Sequence, residues 1–213
     1  MAADTTISPT EFRQPRIELR VIAIIGIALS LFQLYAAGVQ PLGLFFQRPI
    51  HLGFVLVLCF LIYPVFGPGR PRGVLGWAID GTLIACGIAA GAWVPLNIDI
   101  IANQIFPRDI DVLMGILTIA VVLEGARRAV GLGMTIIGVV FIAYAFAGSR
   151  GELPFLADWM PGILNHRGYS LERVASQMTL GAEGIFGIPL GVAATFVFIF
   201  VLFGAFLEVT GPG

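Results

Sequence analysis

The chain contains no lysine, and charge of either sign is sparse: twelve arginines face thirteen acids in a composition that is 12% charged. With a formal net charge of −1 it lacks the clustered basic face that nucleic-acid binding requires. Histidine is confined to His51 and His166 and cysteine to Cys59 and Cys86, with no HExxH, CxxC or paired-histidine spacing, so no metal site is expected. Both cysteines fall within apolar runs, where a small buried thiol is the expected role. No serine, histidine and acid arrangement suggests a hydrolase, and Ser149 after Gly148 alone does not make an intramembrane protease; no enzyme activity is expected.

What fills the 213 residues instead is apolar: 58% hydrophobic, with a mean hydropathy of +0.94, which excludes an ordinary water-soluble globule. The stretch from Gly184 to Leu207 has no ionisable side chain, and its only hydroxyl is Thr195. As a helix it reaches about 36 Å, enough to cross a hydrocarbon core of about 30 Å. Pro189 within it predicts a local kink or break.

Residues 1 to 20 are polar and mixed in charge, and Pro9 and Pro15 argue against a long helix there. The run from Val21 to Val39 is long enough to span. A cleaved signal peptide competes with that reading, but the apolar part exceeds a usual signal core and further spans follow. After a turn region holding Pro41, Arg48 and Pro49, a second, shorter span covers Ile50 to Phe66 and meets Pro64. The connection Gly67, Pro68, Gly69 and Pro71 carries Arg70 and Arg72. Val74 to Val94 is the third span, with Gly87 and Gly91 at the spacing that lets helices approach closely.

A short interfacial helix or loop fits residues 95 to 109. Ile110 to Ala147 would measure about 57 Å as one helix, too long for one crossing, so it must turn. The turn is expected at Glu124, Arg127, Arg128, Gly131 and Gly133, giving spans at about Ile110 to Leu123 and Val130 to Ala147. Residues 148 to 183 form the long polar connection. In it Ser170 can cap a helix bearing Leu171, Val174, Ala175 and Met178 on one face, and Phe155, Leu156, Trp159 and Met160 make another apolar group. The segment at about 150 to 183 thus reads as an interfacial amphipathic piece. The fold class is all-α: a polytopic membrane protein with about six transmembrane helices.

Arginine counts set the orientation. With the N-terminus inside, Arg13, Arg16, Arg20, Arg70, Arg72, Arg127 and Arg128 are cytoplasmic, against Arg48 and Arg108 in the outer short loops. Arg150, Arg167 and Arg173 in the long loop pull the other way.

Four residues stand out as candidate structural or ion-contact groups: Asp80, Glu124, Arg127 and Arg128. Asp80 lies deep in the third span, either as an ion-relay acid or as an acid reaching the headgroup zone or capping a neighbouring helix. Glu124 can pair with Arg127 or Arg128 on one helix face, which would either bind lipid phosphate, join two parts of a transporter or fix a helix end at the interface. Glu208 reads as an interfacial acid, and His166 with Arg167 as a solvated loop or a partner contact.

Two stretches resemble a known family. DVLMGILTIAVVLEGARRAVGLGMTIIGVVFIAYAFAG, residues 111 to 148, looks like the LEATRR-VG segment of tripartite ATP-independent periplasmic (TRAP) transporter permeases, in the fused form that works with TAXI-type binding proteins. AEGIFGIPLGVAATFVFIFVLFGAFLEVTG, residues 182 to 211, looks like the start of the large DctM-type subunit. The resemblance implies a small-subunit-like region at 1–107 and the start of a DctM-like region at 108–213, each with about three spans. It also implies a bacterial inner-membrane uptake system for organic anions such as C4-dicarboxylates, driven by an ion gradient, usually sodium, without other cofactors. Its partners would be the bilayer, a periplasmic TAXI-type binding protein and the remaining permease segment. The family's glycine-rich hairpins that hold substrate and ion have no counterpart in these residues, so the expectation is a scaffold part of a longer permease. No substrate or sodium ligand carries over. The alternative is a membrane interaction or assembly protein that does not transport.

Overall fold

The computed structural model describes residues 16–67, 72–159 and 161–211. The expected N-terminal tail as far as Pro15, the connection at 68–71 with Arg70, and Met160 lie outside them. Among the described residues the fold is all-helical, with an isolated backbone bridge between Ala147 and Leu153 as its only β-type pairing. Helices α1 (Arg16–Gly38), α2 (Leu44–Ile62) and α3 (Val74–Leu96) are followed by the short α4 (Ile98–Asn103). Then come α5 (Asp109–Ala129), α6 (Leu132–Phe146), two 3-10 turns (Pro154–Trp159 and Gly162–Leu164) and α7 (Leu171–Thr179). The last helix is continuous: α8 (Ile188–Val192), a π-helical turn (Ala193–Val197) and α9 (Phe198–Thr210). Four helices are long and apolar enough to cross a membrane: Glu18–Gly38, Leu44–Ile62, Val74–Leu96 and Ile188–Thr210.

Several expected boundaries move, each for a local reason. The first helix begins at Arg16, so the polar residues through Arg20 form its opening turn. Arg48 and Pro49 lie inside α2 and not in a turn; Pro49 is the sixth residue of the helix, where it forfeits the bond to the Phe45 carbonyl, and it is buried there. The turn expected across Glu124 to Gly133 forms toward its glycine end, at Val130 and Gly131, because the charged residues continue as the last turns of α5. Gly131, with φ of 113°, adopts a conformation that side-chain-bearing residues rarely reach, which lets the chain reverse into α6.

Pro189 does not kink the last helix. It sits in the first turn of α8, where its missing N–H would have no partner anyway, and the irregularity instead follows as the π-turn. The cap at Ser170 forms as expected, its hydroxyl accepting from Arg173 N at 3.3 Å. Of α7, Val174, Ala175 and Thr179 are buried, and the helix packs on α5.

The core gathers Leu52, Leu56 and Phe60 of α2, Val94 of α3, Val121 of α5 and Phe186 from the turn before α8. Its tightest seam is α2 against α3. Gly91 meets Gly53 so closely that a Cβ on Gly91 would stand 2.7 Å from Gly53 Cα and 2.8 Å from the Pro49 carbonyl oxygen. A Cβ on Gly87 would lie 3.1 Å from Leu56 Cβ. The glycine pair picked out by spacing is therefore the backbone contact surface of two helices. Gly115 repeats the device, its backbone lying against Ala175 and Thr179 of α7. By contrast α6 and α9 bury none of their residues and expose broad apolar faces, including Ile136, Val140, Phe141, Phe200 and Phe206.

Candidate functional site

The four residues singled out by sequence converge at one end of the molecule, and a fifth, Arg72, joins them. Asp80, on the second turn of α3, is completely buried. Its Oδ1 accepts from Arg128 Nη1 at 2.6 Å and its Oδ2 from Arg72 Nε at 3.1 Å. Arg128 also donates from Nε to Glu124 Oε1 at 2.7 Å, and Arg127 binds Glu124 through Nε and Nη2 at 2.7 and 2.8 Å. Arg72 reaches Glu18 of α1 at 3.2 Å.

Both central arginines also satisfy the end of α2. Arg72 Nη2 donates to the carbonyls of Phe60 and Leu61, and Arg128 Nη1 to that of Tyr63, all groups that a helix C-terminus leaves without intrahelical partners. The guanidinium faces are covered too: Arg72 lies 4.8 Å from the Trp77 ring centroid and Arg128 5.1 Å from that of Phe60. One Arg128 nitrogen, Nη2, is buried without a hydrogen-bond partner. The network ties the start of α1, the end of α2, the start of α3 and the end of α5 into one knot. Three acids, Glu18, Asp80 and Glu124, balance three arginines, Arg72, Arg127 and Arg128.

The Asp80 carboxylate is thus occupied on both oxygens by arginines. Arg72, expected only as a topology-setting loop charge, is 6% exposed at its side chain.

A second polar layer closes the opposite end of α3 and α5. Asp111 accepts from Arg108 (Nε at 2.9 Å, Nη2 at 2.8 Å), from Trp93 Nε1 at 3.0 Å and from Gln104 Nε2 at 3.2 Å. Hydrogen bonds to that carboxylate hold the Arg108 guanidinium above its ordinary pKa. Asp80 to Trp93 on α3 and Asp111 to Glu124 on α5 are both thirteen-residue intervals, about 20 Å along a helix axis. That is shorter than a hydrocarbon core of about 30 Å, so charges at these levels need internal partners.

A third group was not legible as a site. Gln33 of α1 and Gln47 and His51 of α2 are all buried, with Gln33 Nε2 donating to His51 Nδ1 at 2.6 Å and Gln47 Nε2 to Gln33 Oε1 at 3.0 Å. Gln47 also reaches the Ala194 carbonyl in the π-turn at 3.5 Å. Beside it Arg48 donates from Nη1 to the Phe186 carbonyl at 2.7 Å and lies across Gly191, where a Cβ would meet the guanidinium at 2.6 Å. These contacts fasten the last helix to α1 and α2. The signal in the sequence is Gln33, which with Ser30 supplies the polar side chains of the run Val21 to Val39.

His166 serves the loop. It accepts from Gly168 N on Nδ1 at 3.0 Å, which leaves Nε2–H to donate to the Tyr144 carbonyl at 2.8 Å. Cys59 and Cys86 are free and partly buried. Among the described residues no group of three His, Cys, Asp or Glu side chains could hold a metal ion. No protein-family model, curated protein or solved structure matches the chain.

Proposed function

We propose that this chain is a membrane permease component of a TRAP-type secondary transporter for organic anions, and that it supplies scaffold, with the substrate and ion sites lying elsewhere in the permease. The observation that carries the scaffold half is the mutual pairing of Asp80, Glu124, Arg72 and Arg128, which joins four helix ends and engages the carboxylates of Asp80 and Glu124 with arginines. The family half rests on the resemblance of residues 111 to 148 and 182 to 211 to the permease segments.

In this reading the chain crosses a bacterial inner membrane six times from a cytoplasmic N-terminus. α1, α2, α3 and α5 alternate in direction, since the knot joins the start of α1, the end of α2, the start of α3 and the end of α5. α6 would be a short fifth crossing of about 22 Å, and α8 to α9 the sixth. Bonds across the 107/108 boundary, from Asp80 to Arg128 and Trp93 to Asp111, would weld the small-subunit-like and DctM-like regions together.

The test pairs genomic sequence with flux. The reading expects a hairpin-bearing permease segment encoded in frame with, or beside, this one. In vesicles with a TAXI-type binding protein and a sodium gradient, the 213-residue chain alone should give no uptake of a labelled dicarboxylate, and adding that segment should restore it. Uptake by this chain alone would overturn the scaffold role. A stable oligomer that never supports flux, with no such segment encoded nearby, would favour the non-transporting assembly protein instead.

A further inference from the structure

Arg150 and Arg167 on the connection between α6 and α7, and Arg173 in the first turn of α7, belong to none of the groups above. Arg150, Arg167 and Arg173 line one pocket of about 360 Å³ together with Gly168, Tyr169 and Ser170. All three arginines are exposed, and among the described residues none forms an ion pair with an acid. That separates them from Arg72, Arg108, Arg127 and Arg128, each of which is paired with a carboxylate.

The pocket is held in shape by hydrogen bonds to backbone carbonyls. Arg150 N donates to the Arg167 carbonyl at 2.8 Å, Tyr169 N to the Ala145 carbonyl at 3.0 Å, and Tyr144 Oη to the Leu164 carbonyl at 2.9 Å. Two of the first three N–H donors of α7 are already used, Leu171 N by Glu152 Oε1 and Arg173 N by Ser170 Oγ. The attraction for an anion therefore comes from the guanidinium groups and not from the helix end. Arg173 also packs 5.8 Å from the Tyr169 ring centroid, which limits where it can swing.

Position selects the ligand. The loop bonds to the last turn of α6, a helix whose apolar residues are unburied and whose length is shorter than the hydrocarbon core. Phe155, Ile163 and Leu164 of the same loop are exposed. Cations at the end of a lipid-facing helix, beside apolar side chains that can enter the acyl boundary, stand at the level of lipid phosphates. We propose that Arg150, Arg167 and Arg173 form a binding site for the phosphodiester of an anionic phospholipid, each guanidinium offering paired donors to phosphate oxygens. The proposal rests on the membrane reading given above.

The full chain is placed in nanodiscs of equimolar phosphatidylglycerol and phosphatidylcholine, and retained lipid is counted by native mass spectrometry. Wild type should retain phosphatidylglycerol at least about tenfold over phosphatidylcholine, and the Arg150→Gln, Arg167→Gln, Arg173→Gln triple variant should lose that preference. Since the three side chains are exposed and unpaired, the variant should keep its helical circular dichroism. Equal retention of the two lipids by wild type, or an unchanged preference in the variant, overturns the site. So does stabilisation by millimolar inorganic phosphate in phosphatidylcholine-only discs without any preference for phosphatidylglycerol, which would assign the pocket to a free oxyanion. Carbonate-washed membranes separate the two levels of the claim: protein that stays in the pellet yet shows no lipid preference refutes the pocket and leaves the membrane reading standing.

Discussion

Asp80→Ala will lose about 3–5 kcal/mol of stability, the usual cost of stripping one partner from a buried ion pair. The substitution leaves Arg128 with only Glu124 and Tyr63, and Arg72 with Glu18 and backbone carbonyls, at a depth where an uncompensated guanidinium has no water to turn to. Removing Arg128 as well should partly reverse the loss. In Asp80→Ala/Arg128→Met the remaining charges sort into two pairs, Arg72 with Glu18 and Arg127 with Glu124. The double variant should therefore be more stable than Asp80→Ala alone, with a coupling on the order of 1–3 kcal/mol in a double-mutant cycle read from thermal midpoints in detergent. An ion-relay role for Asp80 predicts the opposite pattern, in which Asp80→Asn keeps its thermal midpoint and only an ion-dependent property changes.

The second large effect falls on α2 and α3. Gly91→Ala puts a methyl group 2.7 Å from Gly53 Cα and 2.8 Å from the Pro49 carbonyl, both backbone atoms that cannot swing aside. The helices must separate, opening the seam that Leu52, Leu56 and Val94 fill, at a cost of about 1–3 kcal/mol or more. Gly87→Ala meets a side-chain carbon, Leu56 Cβ, at 3.1 Å, and should cost less. The measured quantity is the thermal midpoint of each variant; a Gly91→Ala protein as stable as wild type would show that the seam is looser than described.

These two sites also mark what can and cannot be read from sequence here. Gly87 and Gly91 were visible because their spacing is local and their purpose, backbone approach, depends on a missing side chain. Ser170 was visible because an N-cap acts within three residues. The knot at Asp80 was half visible: Glu124 pairs with its neighbours on one helix, which spacing reveals, but Asp80 reaches Arg128 across 48 residues and no periodicity encodes that meeting. Arg72 was hidden for a different reason. It lies in a proline and glycine connection, where a charge ordinarily faces water, yet its guanidinium turns back into the bundle to close the end of α2. Arg48 and Pro49 read as a turn because proline usually ends helices, whereas α2 continues through the buried Pro49, and that placement hides the Gln33, Gln47 and His51 group as well.

The claim beneath all of this is that lipid surrounds the bundle and that α6, short as it is, carries the chain from one side to the other. Val130 is exposed in the turn before α6 and Ser149 just after it, so the two bracket that helix. In a Cys59→Ala/Cys86→Ala background, single cysteines introduced by Val130→Cys and Ser149→Cys can be challenged with a membrane-impermeant maleimide in intact spheroplasts and again after lysis. The account predicts that Ser149→Cys reacts in intact spheroplasts and Val130→Cys only after lysis; labelling of both from the same side would contradict it.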